Sequence, residues 1–186
     1  MTEAARKEAA METGNSSPTR ERILKPSFDL FLRHGYDGTS LSRIVGASNV
    51  SKGAFYHHFA SKADIYGEVV HRFFVGPLLQ FDTAELRDMS PRKARSTLKS
   101  FYRTLPDLVA RTTDQDMTRY FSMMFEAISR LPDFRRDISR LYRQLHKDLS
   151  RAFARGQKPT KRQKRLARRF LARMEGEIYL SAVMDD

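Results

Sequence analysis

Residues 39–62 read TSLSRIVGASNVSKGAFYHHFASK, and the chemistry open to that stretch is recognition of a polyanion. Lys52, Tyr56 and His57 offer donors for phosphate oxygens or base edges, and Gly53 and Ala54 are small enough to let another surface come close. Thr39 or Ser40, Ser51 and Ser61 each stand where a helix should begin, so the free amides and positive dipole ends of those helices would point outward, a setting that favours phosphate. The rest of the 186 residues adds no reactive set: no paired carboxylates, no Ser/His/Asp group, no glycine-rich phosphate loop and no HExxH. Catalysis is therefore not expected. Cysteine is absent, which removes thiolate metal sites, disulfides and a cysteine nucleophile. His57 and His58 would point about 100° apart on a helix with no third ligand at i+4, so neither a metal nor a cofactor is expected.

The elements that would hold these residues follow from apolar spacing. Ile23, Leu24, Phe28, Phe31 and Leu32 recur at helical intervals from a predicted N-cap at Thr19 to a stop at His34-Gly35. Pro26 falls inside that helix, which predicts a kink there or a late start. After the turn Tyr36-Asp37-Gly38, a short helix should run to about Ser48. Asn49 supplies a turn residue tolerant of positive φ, and Ser51 caps a second short helix. Ile44, Val50, Phe55 and Phe59 are spaced to pack beneath the pair. Ser61 with Asp64 resembles a capping box for a longer helix lined by Ile65, Val69 and Phe73, which Gly76-Pro77 should kink or end. Further helices are expected at about 91–111, with Pro106 breaking it, and at 115–130, 133–155 and 161–184. No strand pattern is visible, so the fold class is all-α. Residues 1–18 are too polar and small to order themselves and read as a mobile arm.

The stretch TRERIL...LFLRHGYDGTSLSRIV...VSKGAFYHHFASKADI resembles the N-terminal domain of the tetracycline-repressor (TetR) family of bacterial transcriptional regulators. The resemblance covers about 50 of 186 residues. It implies a helix-turn-helix DNA-binding domain at 19–66 and a helical effector-binding and dimerisation domain at 67–186. By position, Lys52, Gly53 and Ala54 would face bases, Ser40, Tyr56, His57 and Lys62 would anchor phosphates, and Ser42 would open the supporting helix near the backbone. The partners implied are a roughly palindromic double-stranded DNA operator, a second copy of the chain and a small-molecule effector that releases DNA, with repression the expected sign. Gly46 and Asn49 depart from the residues usual at those places, which predicts a short or frayed supporting helix.

Beyond residue 82 the resemblance is one of helix number and order. Phe101, Tyr102, Leu105, Tyr120, Phe121, Met124, Phe125 and Ile128 wrap more than one helix face. They read either as plain core or as the lining of an effector pocket, with Arg103 and Arg119 placed to steer an anionic ligand. Leu166, Phe170, Met174 and Ile178 form an i, i+4 row, and Ile138, Leu141, Leu145 and Leu149 a matching one on the preceding helix. Together with Gly176, which would allow close approach, Ile138, Leu141, Leu145, Leu149, Phe170, Met174 and Ile178 are the expected dimer interface. Glu175 or Glu177 would pair an arginine of the other subunit.

Charge is the weaker guide. The net charge of +12 suggests an acidic partner, yet residues 1–82 are nearly balanced and the excess sits in 83–186. Residues 158–173 hold Lys158, Lys161, Arg162, Lys164, Arg165, Arg168, Arg169 and Arg173 with no acid among them. A solvated helix face explains such a run, and the alternative is a basic adaptor or DNA-coating protein without sequence preference. No stretch has the ~20 apolar residues of a membrane span, and no signal-peptide pattern is present. A cytoplasmic location without membrane attachment is expected.

Overall fold

In the computed structural model, which describes residues 17–76 and 81–184, every regular element is a helix. In chain order they are α1 (Pro18–His34), α2 (Leu41–Ser48), α3 (Lys52–His58) and α4 (Lys62–Val70). A π-helical turn (His71–Val75) extends α4, and a 3₁₀ helix (Thr83–Asp88) follows. The remaining elements are α5 (Pro91–Thr112), α6 (Met117–Arg130), α7 (Pro132–Phe153) and α8 (Lys161–Val183). None of the described helices is long and apolar enough to cross a membrane. The expected arm lies almost wholly outside the described residues, and so does Pro77.

Helix α1 starts earlier than the sequence suggested. Ser17, not Thr19, is its N-cap, accepting from the Arg20 amide, and Pro18 occupies the first turn, where a missing N–H costs nothing. The helix is continuous through Pro26. Beside the proline, Ser27 is buried and donates its hydroxyl to the Ile23 carbonyl at 2.7 Å, returning one bond to the weakened turn. Helix α5 likewise runs unbroken through Pro106, so the expected break there is not found. Gly35 ends α1 at φ 68°. A Cβ on Gly38 would fall 2.3 Å from the His34 carbonyl oxygen, so the α1–α2 turn closes only around glycine.

Two apolar cores result. One joins Ile23, Phe28 and Phe31 of α1 and Ile44 and Phe55 of the short helices to Tyr66 and Phe74, then continues into Met123, Ala127, Phe134 and Ile138 of α6 and α7. The expected boundary at 66/67 thus falls inside α4, and the same core includes Val69, Val70, Phe74 and Val75 on its far side. The second core packs Leu145, Leu149 and Ala152 of α7 against Ala167, Leu171, Met174 and Ile178 of α8, with Leu86, Leu98 and Tyr102 closing it. The buried row of α8 therefore begins Ala167 and Leu171, whereas Leu166 is exposed and Phe170 only half-buried.

The 3₁₀ helix was not foreseen, and a buried carboxylate holds it. Asp148 of α7 is 0% exposed and accepts from Thr83 Oγ1 at 2.9 Å, Arg87 Nε at 2.6 Å and Gln144 Nε2 at 2.8 Å. Three donors offset the cost of burying that charge. Replacing Asp148 by Ala should lower the unfolding free energy by about 2–3 kcal/mol, because Thr83 and Gln144 lose their acceptor while the partly exposed Arg87 recovers water. Chemical denaturation of native and D148A protein measures this, and an unchanged midpoint contradicts it.

Candidate nucleic-acid interface and the cavity behind it

Each short helix of the α2–α3 pair is started by a side-chain cap. Ser40, not Thr39, caps α2 by accepting from the Arg43 amide. Thr39 is buried and donates to the Gly35 carbonyl at 2.8 Å, which locks the preceding turn. Asn49 takes φ 51°, ψ 46° between the helices. Its carbonyl accepts from Arg22 at 3.0 Å, so α1 grips the turn directly. Ser51 caps α3 through the Ala54 amide and Ser61 caps α4 through the Asp64 amide. Asp64 reaches back to the Ala60 amide, not that of Ser61, so the reciprocal box is shifted by one residue.

With Ile44 and Phe55 at 0% and Phe59 at 1% exposure beneath the pair, the opposite face is open. Ser40, Ser42, Lys52, Gly53, Tyr56 and His57 are exposed and Ala54 is half-buried. Tyr56 stands edge-on against Phe55, and His57 packs edge-on to His58. Gly53 lies in ordinary helix, and a Cβ there would meet nothing nearer than Ser51 Oγ at 4.0 Å. The fold does not require glycine at this place. Lys62 is held differently from the rest. Its ammonium donates to the Tyr36 carbonyl at 2.8 Å and sits 4.2 Å from the centre of that ring, which leaves part of its donor capacity for a phosphate.

Glu126, Arg130 and Tyr66, which sequence reasoning passed over, join this face to the second half. Glu126 of α6 accepts from the Tyr36 amide at 3.0 Å and from the Tyr66 hydroxyl at 3.5 Å. Arg130, one turn on, bonds Glu126 at 3.0 Å, pairs with Asp37 and lies over the Tyr36 ring at 4.6 Å. Burial, reinforced by the Glu126 charge, pushes the Tyr66 hydroxyl well above the usual tyrosine range, so it remains a donor. The one available signal was that Glu126 is the sole acid in the run MTRYFSMMFEAISR.

Behind the clasp, between α5, α6, α7 and α8, lies a cavity of about 100 Å³. Phe101, Tyr102, Leu105, Tyr120, Phe121 and Met124 line it as expected, together with Phe28 and Phe73 from the first half. Two expected lining residues are elsewhere: Phe125 is 56% exposed, and Ile128 packs on the N-terminal core. Arg103 and Arg119 are exposed and line no part of this cavity, so neither steers an anion into it. The dimer expectation also needs correction. Ile138, Leu145, Leu149, Met174 and Ile178 are buried in their own chain, Leu141 faces the cavity, and Phe170 and Gly176 are half-buried. Leu145, Leu149, Met174 and Ile178 belong to the α7–α8 core of one chain, and Ile138 to the first core. Within the chain Glu175 accepts from Tyr102 and Tyr142, and Glu177 from Arg173 of its own helix.

Residues 23–69 match the family model described as bacterial regulatory proteins, tetR family. Over this stretch the chain is similar to the TetR family. Among curated relatives it is 38% identical over 58 residues to the HTH-type transcriptional repressor DhaR of Mycobacterium sp. (strain GP1), a stretch covering 31% of this chain and 29% of that protein. It is 41% identical over 51 residues to the HTH-type transcriptional regulator AcrR of Shigella flexneri, covering 27% and 24% of the two. These matches thus span less than a third of either relative. Along most of its length the chain shares its fold with a transcriptional regulator from Aquifex aeolicus, at TM-score 0.64 and 24% identity over 90% of both chains. It does so too with the TetR family regulator PfmR from Thermus thermophilus, at TM-score 0.60 and 23% identity over 89% and 88%.

Two outcomes follow from this geometry. Gly53→Ala should leave stability equal or raise it by up to about 1 kcal/mol, the helix-propensity gain, while weakening duplex binding at least tenfold in a fluorescence anisotropy titration. Glu126→Ala should weaken duplex binding threefold to tenfold with an unchanged salt slope, because it loosens the Tyr36 turn without removing a phosphate contact.

Proposed function

We propose that the chain is a sequence-specific DNA-binding transcriptional regulator, acting as a homodimer and released from its operator by a small molecule. The observation that carries this is the outward face of α3: Lys52, Gly53, Tyr56 and His57 exposed together on a helix whose underside is fully buried. A helix so held enters a major groove as one rigid piece. In this reading Lys52, Gly53 and Ala54 meet base edges, while Ser40, Ser42, Tyr56, His57 and Lys62 meet the backbone. Repression is the favoured sign because the similar DhaR is named a repressor and the similar IcaR of Staphylococcus aureus a negative regulator.

Two copies bind half-sites about 34 Å apart or a multiple of that spacing. The apolar residues left open at the end of α8, Tyr179, Leu180, Val183 and Met184, replace the buried rows as the surface that joins the copies. Release follows from the cavity. Tyr120, in its wall, stacks at 4.2 Å on Phe74 of the π-helical turn, and Phe28 stacks at 4.2 Å on Phe73. An effector that spreads the wall shifts α6, and with it the Glu126–Arg130 clasp on Tyr36 and Lys62. The switch works only to the extent that the effector binds the two arrangements unequally.

Lys62→Ala should weaken all duplexes alike and reduce the slope of log affinity against log salt by about 1, since one phosphate contact is lost. Lys52→Ala should alter base preference at one or two positions of each half-site. Selection from a random duplex pool with native and variant proteins measures both effects, together with symmetry and spacing. Equal competition by random and selected duplexes at physiological salt overturns the regulator reading in favour of polyanion coating through residues 158–173, whose basic side chains are all exposed.

A further inference from the structure

The lining of the cavity between α5 and α8 is largely apolar and aromatic, with Thr83 and Thr112 among its polar residues, and its one charged group is the carboxylate of Glu175. Both hydrogen bonds made by that carboxylate come from neutral hydroxyls and converge on one oxygen. Tyr142 donates to Oε1 at 2.6 Å, and Tyr102 donates to the same atom. Among the described residues no lysine or arginine pairs with Glu175, and none lines the cavity. A carboxylate drawn into an apolar site is expensive unless a cation or a full set of donors meets it. Asp148, a helical turn from the cavity residue Leu145, shows what completion looks like in this same protein: an arginine and two further donors on both oxygens. Glu175 has half of that.

The tyrosines do not supply the missing charge. Burial above all, and then the Glu175 charge, hold the Tyr102 and Tyr142 hydroxyls far above the usual tyrosine range, so both stay neutral donors. The lining also includes the rings of Phe28, Phe73 and Phe121, and the negative faces of aromatic rings attract positive charge.

We infer that this cavity takes a small organic monocation, an ammonium with an apolar or aryl body, with the ammonium on the free side of the Glu175 carboxylate and the body among the rings. About 100 Å³ is less than the ~150 Å³ of an engineered site that holds benzene, so the ligand has at most one ring and enters only as Met117 and Met124 yield. An anion is disfavoured by the same carboxylate. The inference deepens the effector reading above and rests on it for release from DNA, not for binding.

Calorimetric titration of the native protein with benzylammonium, benzyl alcohol and benzoate separates charge from shape, since the three share a ring and differ little in size. Benzylammonium should bind at least tenfold tighter than the alcohol, and benzoate weakest. Glu175→Gln should bring ammonium and alcohol within threefold of each other. Tyr142→Phe, which removes a competing donor and keeps the carboxylate, should strengthen the ammonium severalfold and leave the alcohol unchanged; it also serves if the glutamine variant does not fold. Equal or better binding of the alcohol or benzoate, no binding of any probe, or a preference that survives E175Q in folded protein overturns the inference. A bound benzylammonium that fails to release a selected duplex defeats the effector reading alone, whereas absence of any selected duplex defeats the regulator reading and leaves the titration standing.

Discussion

The stacked rings between α4 and α6 are the contact on which the rest of this structure depends. Phe74 lies in a π-helical turn, and its ring meets Tyr120 at 4.2 Å and Phe134 edge-on at 6.3 Å. The three-helix front of the molecule does not close its own apolar surface; through these rings, α6 and α7 close it. The front alone has only eight- and seven-residue helices at α2 and α3, too short to persist in water by themselves. Their rigidity is borrowed from burial of Ile44, Phe55 and Phe59, in a core that continues into the second half of the chain.

The polar contacts across the same seam act in a different way. Hydrogen bonds from Tyr36 to Glu126 and the pairing of Arg130 with Asp37 fix the angle at which the front is held, and they are partly exposed, so each is worth little alone. Packing makes the two halves one body, and the clasp sets its pose. The π-helical turn is the natural place for adjustment, because its extra residue loosens the hydrogen-bond ladder where α4 leaves the front.

Much of the front was legible because its signals are local. Ser51 as cap, Asn49 at positive φ, and Ile44, Phe55 and Phe59 beneath the pair each follow from neighbours within a few residues. Helix existence and order in the second half were legible for the same reason. What could not be read was the partner of each apolar row. Ile138, Leu145, Met174 and Ile178 have the spacing of a buried face, but periodicity says only that a row is covered and not by which chain. The long-range polar pairs were hidden more deeply: Glu175 meets Tyr102 across 73 residues and Asp148 meets Arg87 across 61. Such pairs leave no mark in the hydrophobic pattern. Pro26 does not delay the start of α1: a proline penalty is assessed one helix at a time, whereas α1 is pinned by buried neighbours on both sides of it.

The shared first core bears on how related proteins could exchange their reading heads. A graft cut at residue 66 would carry α1 to α3 away from Phe74, Met123, Ala127 and Phe134, the residues that seal them. The transplanted piece would arrive with an unfilled hollow and the recipient with an orphaned ridge. Chimeras built from this chain would have to move part of α6 and the start of α7 along with the head, or redesign both faces of the seam together.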